Sequence, residues 1–372
     1  MKVGIVVPFS WSFWGAVLEH AELQAEALRA RGIDVRIIIG NDPPGTFTRA
    51  LHPRHGRHDE PPSDVIAVGR TVIVPANGSL PNIVLSPSVP FKLKRVFARE
   101  RFDVLHLHEP MTPAICVSTL AVAKCALVAT WHAAGGLGWM RIGLPSWGFL
   151  LDRIDHYIAV SEQAKASAQR WVPYDFEVIP NGVLIPPEAE PWNRADTVVF
   201  IGRHDPRKGM PVLLRAWPTV HRRTGARLRL VGADPLAVHL LLARHRVPSD
   251  GIDVLGFVPQ EELTRELLRA KALAAPSIGM ESFGMVLTRA FACAVPVVAS
   301  DIPGYKAVMT DETGVLFPAG DADALAEALS NLLEDEPRRR ELGEHARRIA
   351  LERYSWDRIA ERLEQIYAEV AG

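Results

Sequence analysis

Two segments of the chain hold the residue types that a charged ligand needs. The first is Gly202-Arg203-His204-Asp205-Pro206-Arg207-Lys208-Gly209, directly after an apolar run at 197–201. Gly202 lets the chain turn, Arg203 offers a forked guanidinium and Lys208 a point charge. A helix starting near Gly209 would turn unpaired N–H groups toward an anion. The set suits a diphosphate; an exposed basic turn is the plainer reading. The second is Gly279-Met280-Glu281-Ser282-Phe283-Gly284-Met285, after the run at 272–275. A helix over 284–293 would present the amides of Phe283, Gly284 and Met285 to an oxyanion. Glu281, just ahead of it, either caps that helix or accepts hydrogen bonds from ligand hydroxyls.

A third group lies earlier. His106-Leu107-His108-Glu109-Pro110 ends one apolar run and Trp131-His132 ends the next, so His108, Glu109 and His132 should share a rim. Gly135, Gly136 and Gly138 follow as a flexible loop. Two metal-like patterns read otherwise. The run His52-Pro53-Arg54-His55-Gly56-Arg57-His58 sits in a proline-rich stretch, where Pro and Gly prevent the helix that would align its imidazoles, so a surface loop is expected. Asp321-Ala322-Asp323 opens a helical stretch, and Asp321 reads as its N-cap. No metal site is expected.

The elements that must position these residues follow from periodicity. Short, β-branched, nearly continuous apolar runs recur at 3–7, 35–39, 104–107, 127–130 and 157–160, with an amphipathic stretch at 17–31. Such runs predict strands buried on both faces, a parallel sheet covered by helices. The pattern restarts at 197–201, continues through 228–231, 252–255, 272–275 and 296–299, and three helical segments at 321–334, 336–352 and 356–370 close the chain. Two doubly wound α/β domains are therefore expected, joined between Asn181 and Asp196, where Pro186, Pro187 and Pro191 mark a linker. In such sheets ligands bind beyond the carboxyl ends of the strands, which is where all three groups lie. Residues 8–17 hold a single glycine, Gly15, and lack the dinucleotide fingerprint, which disfavours a Rossmann-type dehydrogenase.

Composition narrows the classes. The 372 residues carry 42 Lys+Arg against 43 Asp+Glu, a formal charge of −1, which argues against a surface built wholly for nucleic acid or anionic lipid. Apolar residues at 48% and charged residues at 23% exclude wholesale disorder. Cys116, Cys125 and Cys293 make no metal-type pair and read as small buried hydrophobes in a reducing compartment. Lys124 interrupts the long apolar stretch at 113–131, so a helix over 112–123 and then a strand are expected there rather than a membrane span. The start, Met1-Lys2 and then a strand, is no signal peptide, and a cytoplasmic protein is expected. Residues 91–99 form a basic amphipathic helix candidate; a solvated face is the plainer reading and weak contact with anionic membrane the other.

Together the residues resemble family 4 of the retaining glycosyltransferases, with the GT-B fold, and most of all the actinobacterial phosphatidylinositol mannosyltransferases. His106-Leu107-His108-Glu109-Pro110, Thr130-Trp131-His132, Ile179-Pro180-Asn181-Gly182-Val183, the 202–210 segment and the 279–287 segment carry the resemblance. Pro75-Ala76-Asn77-Gly78-Ser79 and Tyr354-Ser355-Trp356 support it more weakly. It implies two Rossmann-like domains facing a central cleft. One is an acceptor-side domain at 1–181, completed by a final helix at 356–372; the other is a nucleotide-sugar domain at 182–355. It implies hexosyl transfer with retention, mannosyl from GDP-mannose foremost, to a polar or lipid-linked alcohol such as phosphatidylinositol. The sugar nucleotide is then a substrate; no cofactor and no nucleic acid partner are implied.

Residue by residue, the resemblance makes Arg203 and Lys208 the diphosphate ligands and Glu281 the partner of the sugar hydroxyls. Gly15, Gly202, Ser282, Phe283, Gly284 and Met285 complete the donor site without a metal. His132 sits near the reacting carbon, and His108, Glu109 and Asn77 lie on the acceptor side. Two departures stand out. Arg289 occupies the place of a family Glu that contacts the ribose, and a guanidinium cannot accept hydrogen bonds from hydroxyls. Ala16 replaces the second glycine of the family's turn after the first strand, a place where positive φ would be costly. Trp11, Phe13 and Trp14 make that turn aromatic, as an acceptor platform or a membrane foot. A transferase using a UDP-sugar and an inositol phosphate or natural-product acceptor is one alternative; a catalytically silent ligand-binding scaffold is another.

Overall fold

The computed structural model describes residues 1–13, 15–42, 60–73, 82–132, 148–187, 194–203, 205–279 and 281–372. The chain divides into two compact units: Met1–Gly182 with Trp356–Gly372, and Val183–Ser355.

In the first unit the apolar runs become strands β1 (Lys2–Ser10), β2 (Asp34–Gly40) and β3 (Val65–Gly69). An antiparallel hairpin, β4 (Thr71–Ile73) and β5 (Asn82–Val84), follows, and then β6 (Val104–His108), β7 (Ala126–Trp131), β8 (His156–Ala159) and β9 (Glu177–Val178). The main sheet is parallel throughout, in the order β3-β2-β1-β6-β7-β8-β9. Its helices are α1 (Ala16–Ala30), α2 (Val89–Glu100), α3 (Ile115–Val122), α4 (Glu162–Gln169) and the C-terminal helix Trp356–Ala371. Val3, Ile5 and Val7 of β1 pack with Leu18, Ala21, Ala25 and Leu28 of α1 and with Ile359, Leu363 and Ile366 of the C-terminal helix. Both helices present an i, i+3/i+4, i+7 stripe, the pattern that buries one face. Gly182 fixes where the last helix begins: a Cβ there would lie 2.4 Å from the Trp356 ring. Two of the quoted motifs, the one at 179–183 and the one at 354–356, thus meet at one contact.

The second unit repeats the plan. Strands β10 (Thr197–Ile201), β11 (Arg227–Val231), β12 (Ile252–Gly256), β13 (Ala272–Ala275), β14 (Val297–Ser300) and β15 (Gly314–Phe317) form a parallel sheet in the order β12-β11-β10-β13-β14-β15. The helices are α5 (Met210–Thr224), α6 (Pro235–His245), α7 (Gln260–Arg269), α8 (Met285–Ala292), α9 (Pro303–Lys306), α10 (Ala322–Glu334) and α11 (Glu336–Ile349). Trp217 and Leu213 of α5 meet Leu325 and Leu329 of α10 over Phe200 and Leu230 of the sheet. In each sheet the strand order reverses at one place, between β1 and β6 and between β10 and β13. A crevice opens at such a reversal because successive crossovers leave it on opposite faces.

Several expectations are corrected. Ala16 does not need positive φ: Gly15 is extended at φ −158°, and Ala16 simply begins α1. Trp11 is buried in the first core rather than a membrane foot. The helix expected over 112–123 starts only at Ile115, because Ala114 turns at φ 62°. The helix expected over 336–352 ends at Ile349 and continues as a π turn, Ala350–Tyr354. Cys125 is only half-buried, unlike Cys116 and Cys293. The hairpin, β3, β15, α6 and α7 were not anticipated. The His52–His58 run, Trp14 and the 133–147 loop lie outside the described residues. Asp321 caps α10 as expected, accepting from the amides of Asp323 and Ala324 at 3.0 and 2.9 Å. Among the described residues no helix is long and apolar enough to cross a membrane.

Candidate active site

In the second unit the 202–209 and 279–285 segments leave adjacent strands at the reversal point. The chain turns at Gly202, whose N–H reaches Val231 O at 2.9 Å. Asp205 then caps a short 3₁₀ turn, Pro206–Lys208, accepting from Arg207 N at 2.9 Å and pairing with the Arg207 guanidinium at 2.6 Å. That pair holds the Asp205 carboxyl below the usual carboxylate range. The turn is pressed onto the exit of β13: Ile278 N donates to Arg207 O at 2.8 Å, and Gly209, at φ +69°, passes so close that a Cβ would stand 1.7 Å from Pro276 O. Only glycine fits both the conformation and the approach.

This docking delivers Lys208 to Glu281. The Lys208 Nζ pairs with Glu281 Oε1, and Ser277 Oγ reaches the same oxygen at 3.3 Å. Ser277 in turn shares a 2.7 Å hydrogen bond with Tyr305, a phenol whose burial raises its pKa and keeps it neutral. The bonds found at Glu281 among the described residues fall on Oε1. The side chains are 29% and 14% exposed, open enough to meet a ligand from solvent. Glu281 is therefore not the cap of α8: the cap position is Gly284, at φ 75° with no side-chain cap bond, and the carboxylate turns to Lys208 instead. Arg203 is exposed, with no described group paired to it. Phe283 is buried against Tyr354, and α8 begins at Met285. Arg289 lies on α8, half-buried.

In the first unit, β6 and β7 leave the sheet beside its reversal point and bring the third group together. His108 Nδ1 and His132 Nε2 are 2.8 Å apart. Glu109, in the left-handed region at φ 52°, closes the rim: its N–H donates to Thr130 O and its Oε1 accepts from His132 N, both at 2.9 Å. Non-glycine residues seldom hold that conformation, and those that do cluster at functional sites. Gly15 stands at the start of α1 with open space around it. Asn77 lies outside the described residues.

The sequence reading missed His20. It projects from α1 into the same cluster, with ring centroids 5.3 Å from His108 and 4.9 Å from His132. Beneath it His106 stacks on His108 at 4.8 Å, and Gln24, Tyr367 and Thr130 surround His106 with hydrogen bonds of 3.0, 2.5 and 2.7 Å. A cavity of about 10 Å³, lined in part by His20, Gln24, His106 and Thr130, adjoins this network. Burial lowers every one of these imidazole pKa values, His20 to about 4, His106 to about 3, and His108 and His132 well below 6.5. All four rings are neutral at pH 7. The available signal was polar His20 and Gln24 on the face of α1 that otherwise carries Ala21, Ala25 and Leu28.

Known proteins share this fold and much of this sequence. The sequence profile described as "Glycosyltransferase Family 4" matches residues 18–184, and that described as "Glycosyl transferases group 1" matches residues 195–335. A phosphatidyl-myo-inositol mannosyltransferase of Mycobacterium leprae is 35% identical over all of this chain and 97% of its own. Among solved structures, a sucrose-phosphate synthase from Thermosynechococcus elongatus superposes with a TM-score of 0.74 at 21% identity, covering 99% of this chain and 98% of that one. Anabaena Alr3699/HepE in complex with UDP-glucose gives 0.74 at 18%, covering 99% and 100%. With two parallel Rossmann-like sheets and a full-length mannosyltransferase relative, this chain belongs to family 4 of the glycosyltransferases and has the GT-B fold.

Proposed function

We propose that the chain is a retaining hexosyltransferase that carries mannose from GDP-mannose to phosphatidylinositol or a similar polar or lipid-linked alcohol. The observation that supports this most is the Lys208–Glu281 pair, set at the reversal point of the second sheet, between the segment that carries Arg203 and the start of α8 in the chain. Arg203, Lys208 and the first amides of α8 take the donor diphosphate; fixed cations and dipoles stabilise the charge that grows on it, so no metal is required there. Glu281 Oε2 takes sugar hydroxyls while Oε1 stays on Lys208. His132 contacts the sugar near the reacting carbon, and His108 and Glu109 hold His132 in place. In the transfer, the bond from the sugar carbon to phosphate oxygen breaks as the acceptor oxygen bonds on the same face. The acceptor proton passes to the departing phosphate oxygen. No second carboxylate acts as nucleophile. The mannosyltransferase relative supports the sugar and the acceptor. Exposed Lys92, Lys94 and Arg95 on α2, with Phe91 70% exposed among them, support weak docking on the anionic inner face of the plasma membrane.

Arg289 favours a second reading, a UDP-sugar donor with an inositol-phosphate or natural-product acceptor. Calorimetric titration with GDP, UDP and ADP, first without metal and then with Mg²⁺, separates them. Selective metal-independent GDP binding is expected. Selective UDP binding transfers the assignment to the second reading, and no binding of any nucleotide leaves a silent scaffold.

A further inference from the structure

His20, His108 and His132 converge from three elements: α1, the end of β6 and the residue after β7. One ring nitrogen from each lies within 4.8 Å of the other two. Two further facts set the cluster apart from an ordinary core. His20 Nδ1 is buried without a hydrogen-bond partner among the described residues. The one bond inside the cluster, His108 Nδ1 to His132 Nε2, joins two imidazoles rather than an imidazole and a carboxylate. The Glu109 carboxylate bonds the His132 backbone instead.

We propose that these three imidazoles form a binding site for a borderline divalent transition ion, zinc foremost. A donor set of nitrogen alone suits zinc, copper or nickel and not magnesium or calcium, which take oxygen. Three histidines with a fourth position open is a known zinc arrangement. Zn–N bonds of about 2.0–2.1 Å in a tetrahedron place the nitrogens about 3.3 Å apart. The 2.8 Å His108–His132 pair must open slightly and His20 must draw in; His132, the least buried of the three, is the side from which the ion enters. The ion replaces the hydrogen bond between the two rings. The proton that bond held moves to the outer nitrogen of its own ring, so both lone pairs face the metal and no proton is released. The site is separate from the diphosphate-binding residues of the second unit. Its consequence for activity rests on the role given to His132 above: a bound ion takes the His132 lone pair and stops transfer.

The test uses the full chain, stripped with chelator and titrated with Co²⁺. One equivalent should bind with the intense visible bands of four-coordinate cobalt, and Zn²⁺ should displace it. The bands should vanish in His132→Ala, with the fold checked by circular dichroism. Because variants at buried His20 and His108 may fail to fold, X-ray absorption of the zinc-loaded wild type gives the ligand count directly, and three imidazoles are expected. Only the weak bands of six-coordinate cobalt, bands that persist in His132→Ala, or a zinc shell with fewer than three imidazoles would overturn the site. So would loss of the bands in His55→Ala, which would place the ion in the 52–58 run. Transfer should fall with the ion bound and return with EDTA; undiminished transfer at full occupancy overturns the inhibitory role and leaves the spectroscopic result to judge the site.

Discussion

Replacing Gly209 by alanine separates positioning from mere stability. Gly209 and Gly225 flank α5 with nearly the same backbone, φ +69° and +71°. A methyl at Gly225 meets nothing within 4 Å, whereas at Gly209 it would stand 1.7 Å from Pro276 O. Gly225→Ala therefore incurs only the left-handed conformation, about 1–2 kcal/mol. For a domain of this size that lowers Tm by about 2–4 °C per kcal/mol. Gly209→Ala incurs the same cost and must also push the Pro206–Lys208 turn off β13 by well over an ångström. Lys208 moves with it, away from Glu281. A misplacement of about 1 Å near the chemistry costs about 100-fold in rate. Scanning calorimetry and kcat/KM on the two variants should thus show a modest Tm loss with full transfer for Gly225→Ala, and a larger Tm loss with transfer down about 100-fold for Gly209→Ala. Equal stability and equal activity in the two would refute the argument that the close approach at Pro276 sets the position of Lys208.

Three further outcomes follow from the same geometry. Glu281→Gln and Lys208→Met should each lower kcat/KM by about 10²–10³-fold while the circular dichroism spectrum is unchanged: on the proposed reading Lys208 is a preorganised cation at the developing charge, and Glu281 holds Lys208 and the sugar hydroxyls. The buried neutral histidines make stability depend on acid: their folded pKa values lie below the unfolded 6.5, so the unfolded chain binds protons first and stability present above pH 6.5 declines as pH falls toward about 4. Urea midpoints at pH 7 and 5 should show this loss, up to about 1.4 kcal/mol per pH unit for each such histidine, and His106→Gln should flatten the slope. Gly182→Ala should cost about 1–3 kcal/mol by overpacking against Trp356 and should make the C-terminal helix more sensitive to limited proteolysis.

Much of the fold was legible because its strands are buried on both faces. The runs at 197–201 and 272–275 match β10 and β13 to the residue, and the candidate site segments follow directly after each. Elements that rely on their neighbours were less legible. β15 is four residues long, β3 holds two alanine or glycine residues in five, and α7, Gln260–Arg269, is mostly polar with few buried positions. Their pattern alone does not separate them from loops. At the site, segment order exposed Lys208 and Glu281 but not their pairing, which depends on Gly209 docking against a strand that lies far along the chain. Glu281 was equally consistent with a helix cap until the structure placed Gly284 there. His20 was hidden for the same reason: a polar residue on a mostly apolar helix face acquires meaning only when β6 and β7 bring two more imidazoles beside it.

The central claim is best tested on the reaction itself. The purified protein should be incubated with GDP-mannose and phosphatidylinositol vesicles in EDTA, and the product's anomeric configuration read by NMR. The account predicts an α-mannosyl product that retains the donor's configuration and forms without metal. A β-linked product, or none from GDP-mannose under conditions where a UDP-sugar is consumed, would contradict it.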